Sequence, residues 1–280
     1  MRSDFSIATG AIAAITNDRW RDAMPIRATA LFVPGYTGSK EDFMPLLRPL
    51  AAASHRAVAI DQRGQYESSW AKSADGYRIE ALALDVVEIA EQLRAGPQPL
   101  HLIGHSFGGL VCRTAVLAKP ELFDTFTLMD SGPAEISGQR RAALQAAEPV
   151  LAEQGLAGLW EHVSLQSQAD PKFRQSPKAL LDFLRARFLA NDPVGLQTMA
   201  DELRNAPDLT DDLGRLGLPK AVLFGVDDDA WPPEVQSQMA ARLGARVFVI
   251  QNAAHSPAVE NPSATSTALL DFWQHPAESD

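Results

Sequence analysis

The chain of 280 residues has a single cysteine, Cys112. A lone thiol cannot pair within the chain, so a disulfide framework and a multi-cysteine metal site are both excluded. Cys112 lies in an apolar run and reads as a small buried hydrophobe. Basic runs are missing as well. With a formal charge of −10 and a pI near 5.1, no Lys/Arg cluster offers a field that could follow a nucleic-acid backbone or an anionic membrane surface. No apolar stretch reaches the roughly 20 residues of a membrane span. Residues 5–15 (FSIATGAIAAI) come nearest and resemble a signal-peptide core. Asp4 interrupts the positive region ahead of them, no A-x-A site follows, and Thr9-Gly10 looks like a turn between two short strands. The expectation is a leading hairpin in a cytoplasmic protein. Internal repeats and low-complexity tracts are likewise absent.

Hydrophobic residues make up 46% of the chain and charged residues 21%, enough to bury a large core. The length suits one core domain carrying an insertion. From residue 28 onward, short apolar runs alternate with helix-like stretches. The runs are 30–33 (ALFV), 57–60 (AVAI), 100–103 (LHLI) and 126–129 (FTLM), with helical patterns over 42–53, 79–94 and about 105–118 between them. That alternation implies parallel strand pairing in a sheet covered by helices on both faces. After Gly132-Pro133 the rhythm changes, and residues 135 to about 213 carry helical patterns only. Strand-like runs return at 221–226 and 247–250, with helices over 233–243 and 262–273. The expected fold class is therefore α/β, a mostly parallel sheet flanked by helices, interrupted by an all-helical insertion. The expected division is 1–132 and 217–280 for the core and 133–216 for the helical insertion.

Gly104-His105-Ser106-Phe107-Gly108 fits the pattern G-x-S-x-G. Alone, the pattern also describes a Gly-rich turn whose serine caps a helix. Its position directly after a strand and directly before a helix points instead to a nucleophile. A sharp strand-to-helix turn strains the serine backbone, and residues without Cβ at 104 and 108 let neighbouring backbone pass close by. The turn also sets Ser106 at a helix N-terminus, where N–H groups favour developing negative charge.

At these residues the chain resembles the α/β-hydrolase family. Residues 31–43 (LFVPGYTGSKEDF) resemble the family's H-G-x-x-G-S loop, with Pro34 in place of the histidine. Asp61-Gln62-Arg63-Gly64 resembles its D-x-R-G turn, residues 225–232 (GVDDDAWP) its G-x-x-D-x-x-x-P acid loop, and Ala254-His255-Ser256-Pro257 its histidine loop. The likeness spans 28–132 and 219–273; the insertion matches no known pattern. It implies a Ser106 nucleophile, a His255 base and an Asp228 acid in the chain order of this fold. Asp130, after the fourth apolar run, is the alternative acid, and Asp227 and Asp229 flank Asp228. The oxyanion hole would be formed by the backbone N–H groups of Tyr36 and Phe107.

Among the other histidines, His105 adjoins the nucleophile but its backbone directs it elsewhere. His101 is inside a strand, and His55, His162 and His275 fall in helix or tail segments. Asp61 and Arg63 read as a structural turn with a local ion pair. Trp231 and the apolar helix faces of the insertion suit either a pocket or core packing. The implied activity is hydrolysis of an ester-type bond in a small or medium, largely apolar molecule through an acyl-enzyme, with no cofactor and no metal. Carbon–carbon hydrolysis or acyl transfer would use the same groups. A binding protein on the same scaffold would be expected to have lost one of the three, and none is missing. The oligomeric state is open.

Overall fold

In the computed structural model, residues 1–18, 25–169 and 171–276 are described. The leading hairpin is β1 (Arg2–Ile7) and β2 (Gly10–Thr16). There follow β3 (Ala28–Val33), α1 (Met44–Ala52), β4 (His55–Ile60), α2 (Ile79–Leu93), β5 (Leu100–His105), α3 (Phe107–Ala118) and β6 (Thr125–Met129). Helices α4 (Gly138–Ser167), α5 (Pro171–Arg174), α6 (Lys178–Leu189), α7 (Pro193–Asn205) and α8 (Thr210–Gly214) fill the stretch before β7 (Lys220–Gly225). The chain then runs through α9 (Pro233–Leu243), β8 (Arg246–Ile250), α10 (Pro257–Glu260) and α11 (Pro262–Gln274).

The eight strands form one sheet in the order β1-β2-β4-β3-β5-β6-β7-β8. The pairs β1–β2 and β2–β4 are antiparallel; every later pair is parallel. Successive strand side chains point to opposite faces, and here both faces are dry. Leu31, Val33, Leu102, Leu128 and Val222 pack with α2, α3 and α9 on one side. Ala30, Phe32, Ile103, Met129 and Leu223 pack with α1 and α11 on the other. This double covering is why the central strands read as unbroken apolar runs rather than alternating ones. The helices carry the matching stripe: Ile79, Leu82, Ala83, Val86 and Ala90 of α2 are buried. Covering a side chain such as Leu82 contributes about 1.5–3 kcal/mol.

Two local expectations are corrected. His55 opens β4 instead of lying in a helix, and its ring packs 5.3 Å from that of Trp273. Asp61 and Arg63 do not pair with each other. Asp61 takes the buried Lys40 ammonium at 2.7 Å, while Arg63 forks onto Asp85 of α2.

The parallel register aligns the strand ends. Val33 is opposite Gly104, His105 opposite Met129, Met129 opposite Leu223, and Gly225 opposite Ile250. The loops after β3, β4, β5, β6, β7 and β8 therefore all leave from one edge, the carboxyl edge where ligands of open α/β sheets gather.

Candidate active site

Ser106 occupies the junction between β5 and α3 with φ 53° and ψ −121°, a backbone state that costs a non-glycine residue on the order of 1–3 kcal/mol. Three hydrogen bonds hold it there. Its N–H donates to Met129 O at 2.9 Å, and its carbonyl accepts from Ser131 Oγ at 2.8 Å and from Gly109 N at 2.9 Å. The flanking glycines are required by proximity. A Cβ at Gly104 would stand 2.5 Å from the Gly108 carbonyl oxygen, and one at Gly108 would run into the carbonyls of Val33 and Pro34. The side chain of Ser106 thus emerges at the carboxyl edge of the sheet.

The loops after β7 and β8 bring two more groups to it. His255 Nε2 lies 3.0 Å from Ser106 Oγ, and His255 Nδ1 lies 2.8 Å from Asp228 Oδ1. The imidazole is 18% exposed and the Asp228 carboxylate not at all. Asp228 is further held by the Ala230 N–H on Oδ1 at 2.9 Å and by Gln236 Nε2 on Oδ2 at 2.7 Å. Burial pushes its pKa up, but the hydrogen bond and charge of His255, with the Ala230 and Gln236 donors, outweigh it and leave the carboxyl below its ordinary value. An ionised carboxylate beside Nδ1 leaves Nε2 free to accept a proton from Ser106.

Asp130 stands next to this chain without bonding to His255. One ligating atom from each of Asp130, Asp228 and His255 falls within 4.8 Å of the others. Asp130 is fully buried with φ 44°; its Oδ1 accepts the Gly225 N–H at 2.9 Å, and Oδ2 has no partner among the described residues. Burial, then the neighbouring Asp228 charge, raise its pKa well above the ordinary value, opposite in direction to the shift of Asp228, and favour its neutral form. Both ring nitrogens of His255 are engaged by protein, which makes the group a hydrogen-bonded chain and not an open metal-ligand shell. Asp227 and Asp229 are exposed, and Asp229 pairs with Arg140 of α4 at 2.6 Å.

The N–H groups of Tyr36 and Phe107 have no hydrogen-bond acceptor among the described residues. The loop after β3 lies against the serine: a Cβ at Gly35 would sit 2.9 Å from Ser106 Cβ. Trp231 is buried, its ring centroid 6.3 Å from that of His255. Three more polar side chains adjoin the site: His105, set aside as a base in the sequence, and Gln62 and Gln65, to which no pattern gave a role. His105 Nε2 lies 2.6 Å from the His255 carbonyl, so His105 is the donor. Burial, then the proximity of His255, lower its pKa to about 4; it is neutral at neutral pH. Gln62 and Gln65 bond the carbonyls of Pro34 and Gly35. The D-x-R-G turn signalled that this segment mattered, but no local pattern names the partners of its glutamines.

This sheet, with a strained serine after β5 and a histidine after β8, is the architecture of a hydrolase scaffold, and the chain belongs to the alpha/beta hydrolase family, whose model matches residues 30–268. Among its relatives, a putative carbamate hydrolase RutD of Variovorax paradoxus is 29% identical over 86% of this chain and 90% of its own length. A pimeloyl-[acyl-carrier protein] methyl ester esterase of Yersinia enterocolitica is 28% identical over 71% of this chain and 79% of its own. A solved thermophilic esterase of Thermogutta terrifontis shares the fold with a TM-score of 0.77, at 22% identity over 99% of this chain and 100% of that one. No described helix is long and apolar enough to cross a membrane.

Proposed function

We propose that this chain is a serine hydrolase that cleaves an ester-type carbonyl bond in a small or medium, largely apolar molecule. The observation that carries the reading is the unbroken chain from Ser106 Oγ through His255 to Asp228, at 3.0 Å and 2.8 Å, with two unclaimed N–H groups beside it. Ser106 Oγ attacks the carbonyl carbon while its proton passes to His255 Nε2. The oxygen that gains negative charge is met by the N–H groups of Tyr36 and Phe107, each worth about 3 kcal/mol of barrier in such sites. As the tetrahedral centre collapses, the imidazolium returns the proton to the leaving alcohol, and the acyl group stays on Ser106. Water then attacks the acyl carbon as His255 Nε2 takes its proton, and the second tetrahedral centre collapses with the imidazolium returning that proton to Ser106 Oγ, which releases the acid and the free serine. Asp228 orients the imidazole throughout.

Residues 133–216 act in this reading as a cap over the core segments 1–132 and 217–280. Support comes from the contacts its helices make with site loops. The Tyr36 side chain packs against Leu159, Phe188 and Leu196 of α4, α6 and α7. Arg187 of α6 pairs with Asp42 at 2.5 Å, and Arg140 of α4 with Asp229. Tyr36 and Trp231 supply apolar surface beside the site loops, and the half-buried Trp160 and Leu156 pack in the same cap cluster as Tyr36. The relatives named as carbamate hydrolase and methyl ester esterase extend the test to carbonyls bearing either nitrogen or oxygen leaving groups.

Incubation with a fluorophosphonate probe tests the assignment, because an activated serine reacts and an ordinary one does not. The wild-type protein is expected to label stoichiometrically and to turn over p-nitrophenyl esters; Ser106→Ala is expected to do neither while keeping its fold. Retention of most ester turnover by the folded Ser106→Ala variant would overturn the nucleophile. A panel of esters, thioesters, lactones and carbamates then ranks the substrate classes.

A further inference from the structure

Pro34 has neither a polar side chain nor an N–H with which to hold the loop that carries Tyr36. The structure shows what holds it instead. Gln65 Nε2 donates to Gly35 O at 2.8 Å, and Gln62 Nε2 donates to Pro34 O at 2.8 Å. Both glutamines are buried, at 0% and 3% exposure, so neither bond competes with water. The Gln65 amide has one orientation only. The Gln62 backbone N–H, which can only donate, faces Gln65 Oε1 at 3.1 Å, leaving Nε2 toward Gly35. The Gly35 oxygen takes a second donor, Gly38 N–H at 3.1 Å.

The carbonyl of Gly35 and the N–H of Tyr36 belong to one peptide plane. No described peptide bond is cis, and in a trans peptide the C=O and N–H point in opposite directions. Drawing the Gly35 oxygen toward Gln65 therefore turns the Tyr36 N–H the other way. Gly35 itself abuts Ser106, so this peptide stands beside the nucleophile, and the Tyr36 N–H, without an acceptor among the described residues, is free to meet the reacting carbonyl. We infer that Gln65, supported by Gln62, is the positioning residue of the oxyanion hole: it sets the direction of the Tyr36 N–H by fixing the far end of the same peptide. Gln62 clamps the preceding peptide, so the plane cannot relieve a lost Gln65 bond by rotating the chain ahead of it.

This inference rests on the serine-hydrolase reading above, and its test separates the two. In the full chain, Gln65→Met keeps length and loses both side-chain bonds, and Gln65→Glu presents a carboxylate to the Gly35 oxygen. Gln62→Met removes only the Pro34 clamp and serves if the Gln65 variants fold poorly. Turnover of p-nitrophenyl acetate is normalised to sites titrated with the fluorophosphonate, so loss of folded protein does not enter kcat. The Gln65 variants are expected to lose kcat about tenfold or more, within the range for impaired oxyanion donors. KM should change by less than about twofold, and the phosphonylation rate should fall in parallel because the P=O oxygen uses the same donors. Gln62→Met is expected to lose less in the same direction. Unchanged kcat per titrated site in folded variants, or a rise in KM alone, overturns the inference and leaves the serine assignment standing. A wild-type protein that neither labels nor turns over esters overturns both.

Discussion

At the scale of single residues, two buried carboxyl groups share one corner and have their pKa values shifted in opposite directions. Asp228 has His255, Ala230 N–H and Gln236 as donors and stays ionised. Asp130 has one backbone donor and a charged neighbour, and burial raises its pKa and favours the neutral form. A neutral amide is a poor substitute for the first and a fair one for the second. Asp228→Asn should therefore slow kcat by about 10⁴-fold, since the orienting carboxylate is lost and the wrong imidazole tautomer is favoured. Asp130→Asn should retain activity within about tenfold, because it exchanges one neutral hydrogen-bonding group for another. Steady-state rates of the two folded variants decide the matter: a dead Asp130→Asn beside an active Asp228→Asn would move the acid to the loop after β6.

At the scale of elements, the β5–turn–α3 unit concentrates the strain. It packs helix backbone directly on the end of β3, where Gly108 meets the carbonyls of Val33 and Pro34. Gly108→Ala must push α3 away from that strand, since backbone oxygens cannot step aside as a flexible side chain would. The expected cost is on the order of 1–3 kcal/mol in denaturant unfolding, with a disproportionate loss of kcat because Phe107 N–H moves with the helix. An alanine variant of wild-type stability and activity would show that the turn is softer than its contacts imply. The same helix reaches the insertion. Buried Arg113 of α3 donates to Pro133 O and, at 2.7 Å, to Pro207 O, and so ties both flanks of α4–α7 to the element that carries Ser106.

For the whole molecule, stability should depend on pH through its buried histidines. His101 stacks on Trp273 at 4.6 Å, and burial, then His55, lower its pKa from 6.5 to about 3. Burial lowers that of His55 as well. The unfolded chain takes up these protons near pH 6.5 and the folded chain does not, so between pH 6.5 and about 3 the unfolded state binds more protons. Stability contributed by neutral His101 is thus whole above pH 6.5 and is lost progressively as pH falls toward about 3. Thermal unfolding should show Tm dropping across that window, and His101→Gln should flatten the slope. A slope unaltered by the substitution would place the acid sensitivity elsewhere. Replacing residues 133–216 with a short linker should change the ranking of an ester panel and KM more than it changes fluorophosphonate labelling of Ser106. An identical ranking in a folded variant would remove the insertion from substrate choice.

Sequence alone determined the alternation of strands and helices, the helical stretch after β6 and the strand–Ser106–helix context, because each is a local pattern of period, glycine and turn residues. The family resemblance supplied the chain order of Ser106, Asp228 and His255. It favoured Asp228 and left Asp130 as the alternative, since both lie in loops at the carboxyl edge. The choice between them depends on which loop reaches Nδ1 of His255, and that is a distance. His55 was misread because a strand's first residue is flanked by the same polar turn that ends a helix. Gln62, Gln65 and His105 were illegible for a related reason. Their hydrogen bonds join residues 28, 30 and 150 positions apart, and a glutamine that holds a distant carbonyl looks in sequence like one that faces water. Period and turn chemistry are written along the chain. The partners of its buried polar groups were decided only when the sheet brought six loops to one edge.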